Sequence, residues 1–512
     1  MLRPLDLSDA KAFCVGPDSI YHLLQDCIAK KDLPAGRRAQ QLAVQDGLQA
    51  SNYLATHIIR MFTTCGSISE ANQAFVRLHT PCVYTWSALL LAHSCTGLAL
   101  AIFHRMLQSN VQPNAYCYTA LLKACANLAC LGEGMLVHDQ IVQDGFDSNT
   151  VVNNTLLDMY VKSGDLTHAL AVFKTSCVQS VVTWTTLIAG YSSDGCTLEA
   201  FELYQQMQQK RVSPNAVTFA SIMKVCSSAV DGRLIHFHVV ERGLDCNLFV
   251  GNALVDMYAE FGSIEEARFV FDHLNDRDVV TWSSIIEGYA EDGLANEALW
   301  LFTQMQQEVQ PNKVTFVNLA KACSNLESVT LSNLIYGSAV EGGFNSDTLL
   351  GTALIDLYAK CGSFEDANVL FKLLPVRNVV TWTAMISGYA LHGNFKLVMK
   401  YYSTMQREGL KPNETTFLAV LSACNHVGLV LKGCTLFDTM ALQGLTPTIE
   451  HHHCMMDLFG RTGCVNLASV VLHSIPADDL QIAGSPSVLN HCKTHGSLDV
   501  SEDVFNLVAL QR

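Results

Sequence analysis

Residues 181–209 read VVTWTTLIAGYSSDGCTLEAFELYQQMQQ, a stretch with two helical periods and one break. Trp184, Leu187, Ile188 and Tyr191 fall at i, i+3, i+4 and i+7, and past the SSDG break Ala200, Leu203, Tyr204 and Met207 do the same. That spacing predicts two amphipathic helices, each of about 12 residues, joined by a glycine-containing turn. A hairpin this short cannot bury both of its apolar faces alone, so copies of it must stack.

Copies are present. Trp86, Trp184, Trp282 and Trp382 stand in YTWSALL, VTWTTLI, VTWSSII and VTWTAMI, 98, 98 and 100 residues apart. Between them lie two variants of the same pattern, one reading NAYCYTALLKAC or NKVTFVNLAKAC, the other NTVVNNTLLDMYVKSG or NLFVGNALVDMYAEFG. Each period is therefore a triplet: long, long, short. The phrases SPN, QPN and KPN mark the joints, because Pro stops one helix and Asn begins the next repeat. The pattern predicts an all-α solenoid of tandem antiparallel helix hairpins with a concave inner surface.

At 512 residues the chain exceeds a single core, which stops growing near roughly 250–300 residues, and a repeat array resolves the excess. With 49% hydrophobic and 15% charged residues it is expected to fold along its length. No run of 18 apolar residues is free of charges and turn signals, so no membrane span is expected. Residues 1–16 read as a short leader without an apolar signal core or an Arg/Ser-rich transit composition. Nineteen cysteines are too many to ignore, yet Cys27, Cys125, Cys226, Cys323 and Cys424 each close an apolar helix, as small buried thiols do. The formal charge of −15 is adverse for phosphate binding, so a nucleic-acid partner would have to be held largely through its bases.

Catalytic and metal motifs are wanting. There is no C-x-x-C, no H-x-E with a later P-C-x-x-C, and no phosphate loop, so neither an enzyme nor a cofactor is expected. EHHHC, residues 450–454, places potential ligands side by side on a helix, where neighbours point about 100° apart and one ion cannot gather them. His491, Cys492 and His495 are likewise given no metal role. A tetratricopeptide array, a protein-binding scaffold of similar hairpins, is the alternative fold-level reading, but its W-x2-L-G-x2-Y pattern is absent.

The phrases VVTW, ALIDLYAKCGS and PNETTFLAVLSACNHVG give the chain its resemblance: from about Pro17 to about Gln481 it resembles the pentatricopeptide repeat proteins of the plant PLS class. The resemblance implies a right-handed superhelix. It places long repeats at 17–51, 83–114, 115–149, 181–215, 216–247, 279–312, 313–347, 379–413 and 414–448, and short ones at 52–82, 150–180, 248–278, 348–378 and 449–481. The domains expected are two opening repeats at 17–82, triplets at 83–180, 181–278, 279–378 and 379–481, and an extension at 482–512. Repeats 83–114 and 216–247 hold 32 residues instead of 35, so a turn or helix is trimmed there.

Reading one base per hairpin needs a directional polar side chain at the same place in each repeat. The fifth residue supplies one in the first and short repeats of each triplet: Ser87, Asn154, Thr185, Asn252, Ser283, Thr352 and Thr383. The last residue of the same repeats is Asn114, Ser180, Asn215, Asp278, Asn312, Asn378 and Asn413, again polar throughout. Helix capping accounts for such residues singly. In the middle repeats, however, the fifth residue drifts to Thr119, Ala220, Val317 and Leu418, and capping would bind all three variants equally.

In the family resembled, these two residues together choose the base. Carried over pair by pair, Ser87/Asn114, Thr185/Asn215, Ser283/Asn312, Thr352/Asn378 and Thr383/Asn413 would take adenine, Asn154/Ser180 cytosine and Asn252/Asp278 uracil, which spells 5′-A-x-C-A-x-U-A-x-A-A-3′ with the middle repeats unread. Val182, Phe249, Val280 and Val380, at the second position, would wedge between bases.

The tail from residue 477 resembles the first extension motif of the family's editing branch in truncated form, with Ser485 and Pro486 where Trp is usual. No deaminase domain is seen. The resemblance implies single-stranded RNA as partner, editing-complex proteins or a separate deaminase as partners of the tail, and a mitochondrial or chloroplast address, although no transit segment is visible.

Overall fold

The computed structural model describes residues 17–464 and 467, apart from 49, 50, 177, 325 and 327. The leader at 1–16 and the extension at 482–512, with Ser485, Pro486, His491, Cys492 and His495, lie outside the described residues. The chain divides into two compact parts, 1–244 and 245–512.

The described residues form 27 helices. They run in consecutive pairs, such as Val181–Ser193 with Thr197–Gln209 in the first part and Val379–Leu391 with Phe395–Arg407 in the second. The spacing in residues 181–209 is the cause: Trp184, Leu187 and Ile188 on one helix and Ala200, Leu203, Tyr204 and Met207 on the other are all buried. The turn between them works because Gly195 adopts φ +73°, where a side chain would be strained. The Cys196 N–H then reaches back to the Tyr191 carbonyl at 2.9 Å and closes the helix end.

Within each part, each first helix of a pair packs on the first helix of the next pair, and second helices make no comparable row. The first helices therefore form the tighter layer of each part. Gly388 shows how tight: a Cβ there would lie 2.3 Å from the Ala359 Cβ of the preceding repeat. The repeated tryptophans also act across repeats. Trp86, Trp184, Trp282 and Trp382 are buried edge-on against Phe75, Phe173, Phe271 and Phe371 of the preceding repeat, with ring centroids 4.6–4.8 Å apart. Such pairs add about 1 kcal/mol each beyond area burial. The period of the tryptophans is thus the period of one kind of joint, and the ring completes a neighbour's core as well as its own.

The two shortened repeats lose length in their helices, repeat 83–114 also in its second, Ala99–Gln108, which has ten residues against 13 in Thr197–Gln209. Ala216–Met223 has eight residues and Val83–Ala92 has ten, against 13 in Val181–Ser193. Cys27, Cys125, Cys323 and Cys424 are buried, Cys226 is half-buried, and all the described cysteines are free thiols. Burial raises each of these five thiols above its ordinary pKa, to about 11 for Cys125, Cys323 and Cys424, which keeps them neutral and unreactive. No helix of the described residues is long and apolar enough to cross a membrane.

Candidate nucleic-acid interface

The last residues of the repeats are helix N-caps. Asn114, Ser180, Asn215, Asp278, Asn312, Asn378 and Asn413 each accept a backbone N–H from the first turn of the following helix. Asn149, Asn247 and Asp347, which end middle repeats, do the same. The capping demand is therefore common to all three repeat variants, as a free N-terminal N–H requires, and it falls on the last residue and not on the fifth.

The fifth residues sit one turn further in, with no capping role. Thr185, Ser283, Thr352 and Thr383 are buried. Their hydroxyls meet the third-position threonine of the next repeat: Thr185 with Thr218 at 2.7 Å, Ser283 with Thr315 at 2.8 Å, Thr352 with Thr381 at 2.8 Å and Thr383 with Thr416 at 2.6 Å. Each of these threonines in turn donates to the cap, Thr218 to Asn215 at 2.9 Å and Thr416 to Asn413 at 2.6 Å among them. The fifth and last residues of one repeat are thereby joined through one side chain of its neighbour.

Asn252 and Asp278 are joined more directly. The Asn252 amide donates to the Asp278 carboxylate at 3.1 Å, and the Thr281 hydroxyl shares its one proton between the Asn252 oxygen at 2.6 Å and that carboxylate at 2.9 Å. Burial works against ionisation of Asp278, but hydrogen bonds from the Thr281 N–H and hydroxyl, the Asn252 amide and the Val280 N–H outweigh it and hold the carboxyl below its ordinary pKa.

Two pairs are not brought together. Cys117 occupies the third position after Ser87/Asn114, and the Ser87 hydroxyl donates to the Tyr84 carbonyl at 2.9 Å instead. After Asn154/Ser180, the Thr183 hydroxyl turns to the Ser180 carbonyl at 2.7 Å.

Second-position side chains stand outside the core. Val182, Phe249, Val280 and Val380 are 49–58% exposed, although all four are apolar. Tyr84 and Tyr116 occupy the same register, are more strongly exposed than most, and were not singled out from the sequence. Their signal was available, since counting back three from Ser87 and Thr119 reaches them. In the first part an open groove of about 390 Å³ gathers these positions: second-position Tyr84 and Tyr116, fifth-position Thr56, Ser87 and Thr119, and the cations Arg60 and Lys123. Aromatic faces, hydroxyls and positive charge on one surface suit an unstacked base with its phosphate.

The electrostatics vary along the chain. Lys123, Lys224 and Lys321, at the ninth position of middle repeats, are exposed. In the second part Glu260 has its pKa raised, first by burial and then by Asp256, Glu291 and Glu287. Asp158 and Asp356, at the ninth position of short repeats, are covered by Lys162 and Lys360 at 2.8 Å. In EHHHC, His451 bonds the Thr448 hydroxyl at 2.7 Å and the Glu414 carbonyl at 2.9 Å, and His452 bonds the Thr448 carbonyl at 2.9 Å. These rings are helix-start and joint residues, and no group of metal-ligating side chains forms among the described residues.

The PPR repeat family profile matches residues 179–228, 277–325 and 377–426, the pentatricopeptide repeat domain profile 80–128, and a further PPR repeat profile 154–175 and 352–379. A mitochondrial pentatricopeptide repeat-containing protein of Arabidopsis thaliana is 34% identical over 494 residues, which are 94% of this chain and 71% of that protein. A chloroplastic one from the same plant is 31% identical over 490 residues, 94% of this chain and 60% of that protein. Across such relatives the chain spans between about half and four-fifths of their length.

Among solved structures, the pentatricopeptide repeat protein PPR10 from maize superposes with a TM-score of 0.57 at 15% identity, covering 97% of this chain and 88% of that one. The same protein in complex with an 18-nt psaJ RNA element superposes with a TM-score of 0.55, covering 96% and 86%. At that identity the likeness is one of fold.

Proposed function

The chain belongs to the pentatricopeptide repeat family, and we propose that it is a sequence-specific single-stranded RNA-binding adaptor acting in organelle RNA metabolism. The observation that carries this reading is the groove of the first part, where fifth-position hydroxyls of three consecutive repeats lie between exposed tyrosines and beside Arg60 and Lys123. The hydroxyls and caps read base edges, the second-position side chains wedge between bases, and scattered cations hold the backbone. A net charge of −15 keeps the sequence-independent term small, so base contacts decide where the protein binds.

The repeat pairs Ser87/Asn114, Asn154/Ser180, Thr185/Asn215, Asn252/Asp278, Ser283/Asn312, Thr352/Asn378 and Thr383/Asn413 spell 5′-A-x-C-A-x-U-A-x-A-A-3′. The triplet pattern fits the PLS class, and the tail fits a truncated extension motif. C-to-U editing-site recognition, with a deaminase supplied by another chain, is accordingly the first process to examine, ahead of other RNA processing. Relatives named as mitochondrial or chloroplastic favour an organelle address.

Fluorescence anisotropy with that decamer and a scrambled decamer of equal composition tests the reading. Binding the first at least about ten-fold more tightly is expected, the size of one or two discriminated bases. Equal binding of the two overturns it.

A further inference from the structure

We infer that the third-position threonine of the following repeat sets the base choice of the Thr185/Asn215 and Ser283/Asn312 pairs, by fixing where the protons of each pair lie. The inference rests on the RNA-reading function proposed above and deepens it. Thr218 and Thr315 are fully buried, so no water can take their place.

The Asn215 amide cannot be flipped, because its oxygen accepts the Thr218 N–H at 2.9 Å. The same oxygen lies 2.9 Å from the Thr218 hydroxyl. An amide oxygen carries no proton, so the hydroxyl proton of Thr218 must lie on that line; otherwise two acceptors would face each other. The Thr218 oxygen, 2.7 Å from Thr185, is then left to accept, and Thr185 must donate to it. Two contacts use two protons, and the arrangement is closed. The Ser283, Thr315 and Asn312 set closes in the same way, at 2.8 and 3.1 Å.

One consequence follows for the outward side. With its proton drawn inward, the fifth-position hydroxyl offers lone pairs. With its oxygen saturated by the threonine, the asparagine offers its NH2. An acceptor beside a donor complements the Watson–Crick edge of adenine, which has a donor at N6 and an acceptor at N1. It opposes guanine, which has an acceptor at O6 and a donor at N1. The threonine touches no base and acts as a positioning residue. Where a middle repeat is followed by a short one, the third position is Val152, Val250, Leu350 or His451, and the fifth residues ahead of them are Thr119, Ala220, Val317 and Leu418, outside the reading set.

The test uses the full chain with 5′-A-x-C-A-x-U-A-x-A-A-3′ and with decamers carrying guanine at position 7 or position 4. Thr315→Val is expected to lower the adenine-over-guanine ratio at position 7 about five-fold, the size of one neutral hydrogen bond, while the ratio at position 4 holds. Thr315→Ser should restore it. A second variant works in the opposite direction and does not depend on tolerating a lost hydroxyl. Cys117→Thr installs the missing group after Ser87/Asn114 and should raise discrimination at position 1 by a similar factor. Unchanged ratios in both variants, with wild type discriminating at positions 1 and 7, overturn the inference and leave RNA reading intact. A wild type that does not discriminate at those positions overturns the reading of the pairs themselves, and the inference with it.

Discussion

Two kinds of joint alternate along this chain. Where a first or short repeat meets its successor, a threonine usually stands at the third position, and in five cases it ties the preceding fifth and last residues into one hydrogen-bonded set. Where the middle repeats 115–149 and 313–347 meet the short repeats after them, Val152 and Leu350 fill the same place and the joint is apolar. The hairpins are alike and the caps are alike; the difference is one buried hydroxyl. A hydroxyl costs free energy to bury unless it is satisfied, so its recurrence only where polar partners await it marks those joints as built around polarity.

Breaking the joint sterically should have the largest effect. Gly388→Ala puts a Cβ 2.3 Å from the Ala359 Cβ, with backbone atoms of the same residue behind it, and should cost about 2–3 kcal/mol in urea denaturation. Gly337→Ala, where a Cβ meets nothing, should leave the midpoint unchanged or raise it.

Transplanting the hydroxyl comes next. Leu350→Thr removes a buried side chain and adds a hydroxyl where the fifth residue ahead is Val317, so a loss of about 2 kcal/mol is expected from the same measurement. A neutral result would show that the apolar joint tolerates polarity and would remove the contrast.

The caps separate the joints more finely. Asn413→Ala removes the acceptor of both the Thr416 N–H and its hydroxyl and should cost about 2 kcal/mol, whereas Asn247→Ala removes the acceptor of the Val250 N–H alone and should cost about 1 kcal/mol. Equal losses would mean that the threonine adds nothing to the cap.

The smallest expected effect is one of pH. Asp278 has its pKa lowered in the folded chain, so it contributes stability above the unfolded carboxylate pKa, and that contribution disappears as pH falls through the folded value. Uracil preference at position 6 should weaken over the same acidic window. Adenine preference at position 7, read by the non-titrating Asn312, should show no such dependence, and anisotropy at stepped pH compares the two.

Much of the architecture is legible in the sequence. The i, i+3, i+4, i+7 spacing in residues 181–209 was enough for the hairpin, and the tryptophan period was enough for stacking, because both depend on local geometry and on apolar faces that need covering. The fifth and last positions could be picked out by polarity. Their roles could not be told apart: the helix-start signal at Asn215 and the buried hydroxyl at Thr185 are both simply polar residues in a helical stretch. The thirds, Thr218 and Thr315, gave no sign of a function, since Thr next to an aromatic looks like an ordinary capping-box member.

The sequence alone therefore determined the repeat, its length, its turns and the positions where chemistry could sit, since each depends on neighbours within about one hairpin. Only the tertiary structure decided which residues act together. Thr185 and Asn215 lie 30 residues apart, and their link runs through Thr218 of the following repeat. A hydrogen bond depends on ångström-scale distance and direction across a packed joint, which helical periodicity does not encode.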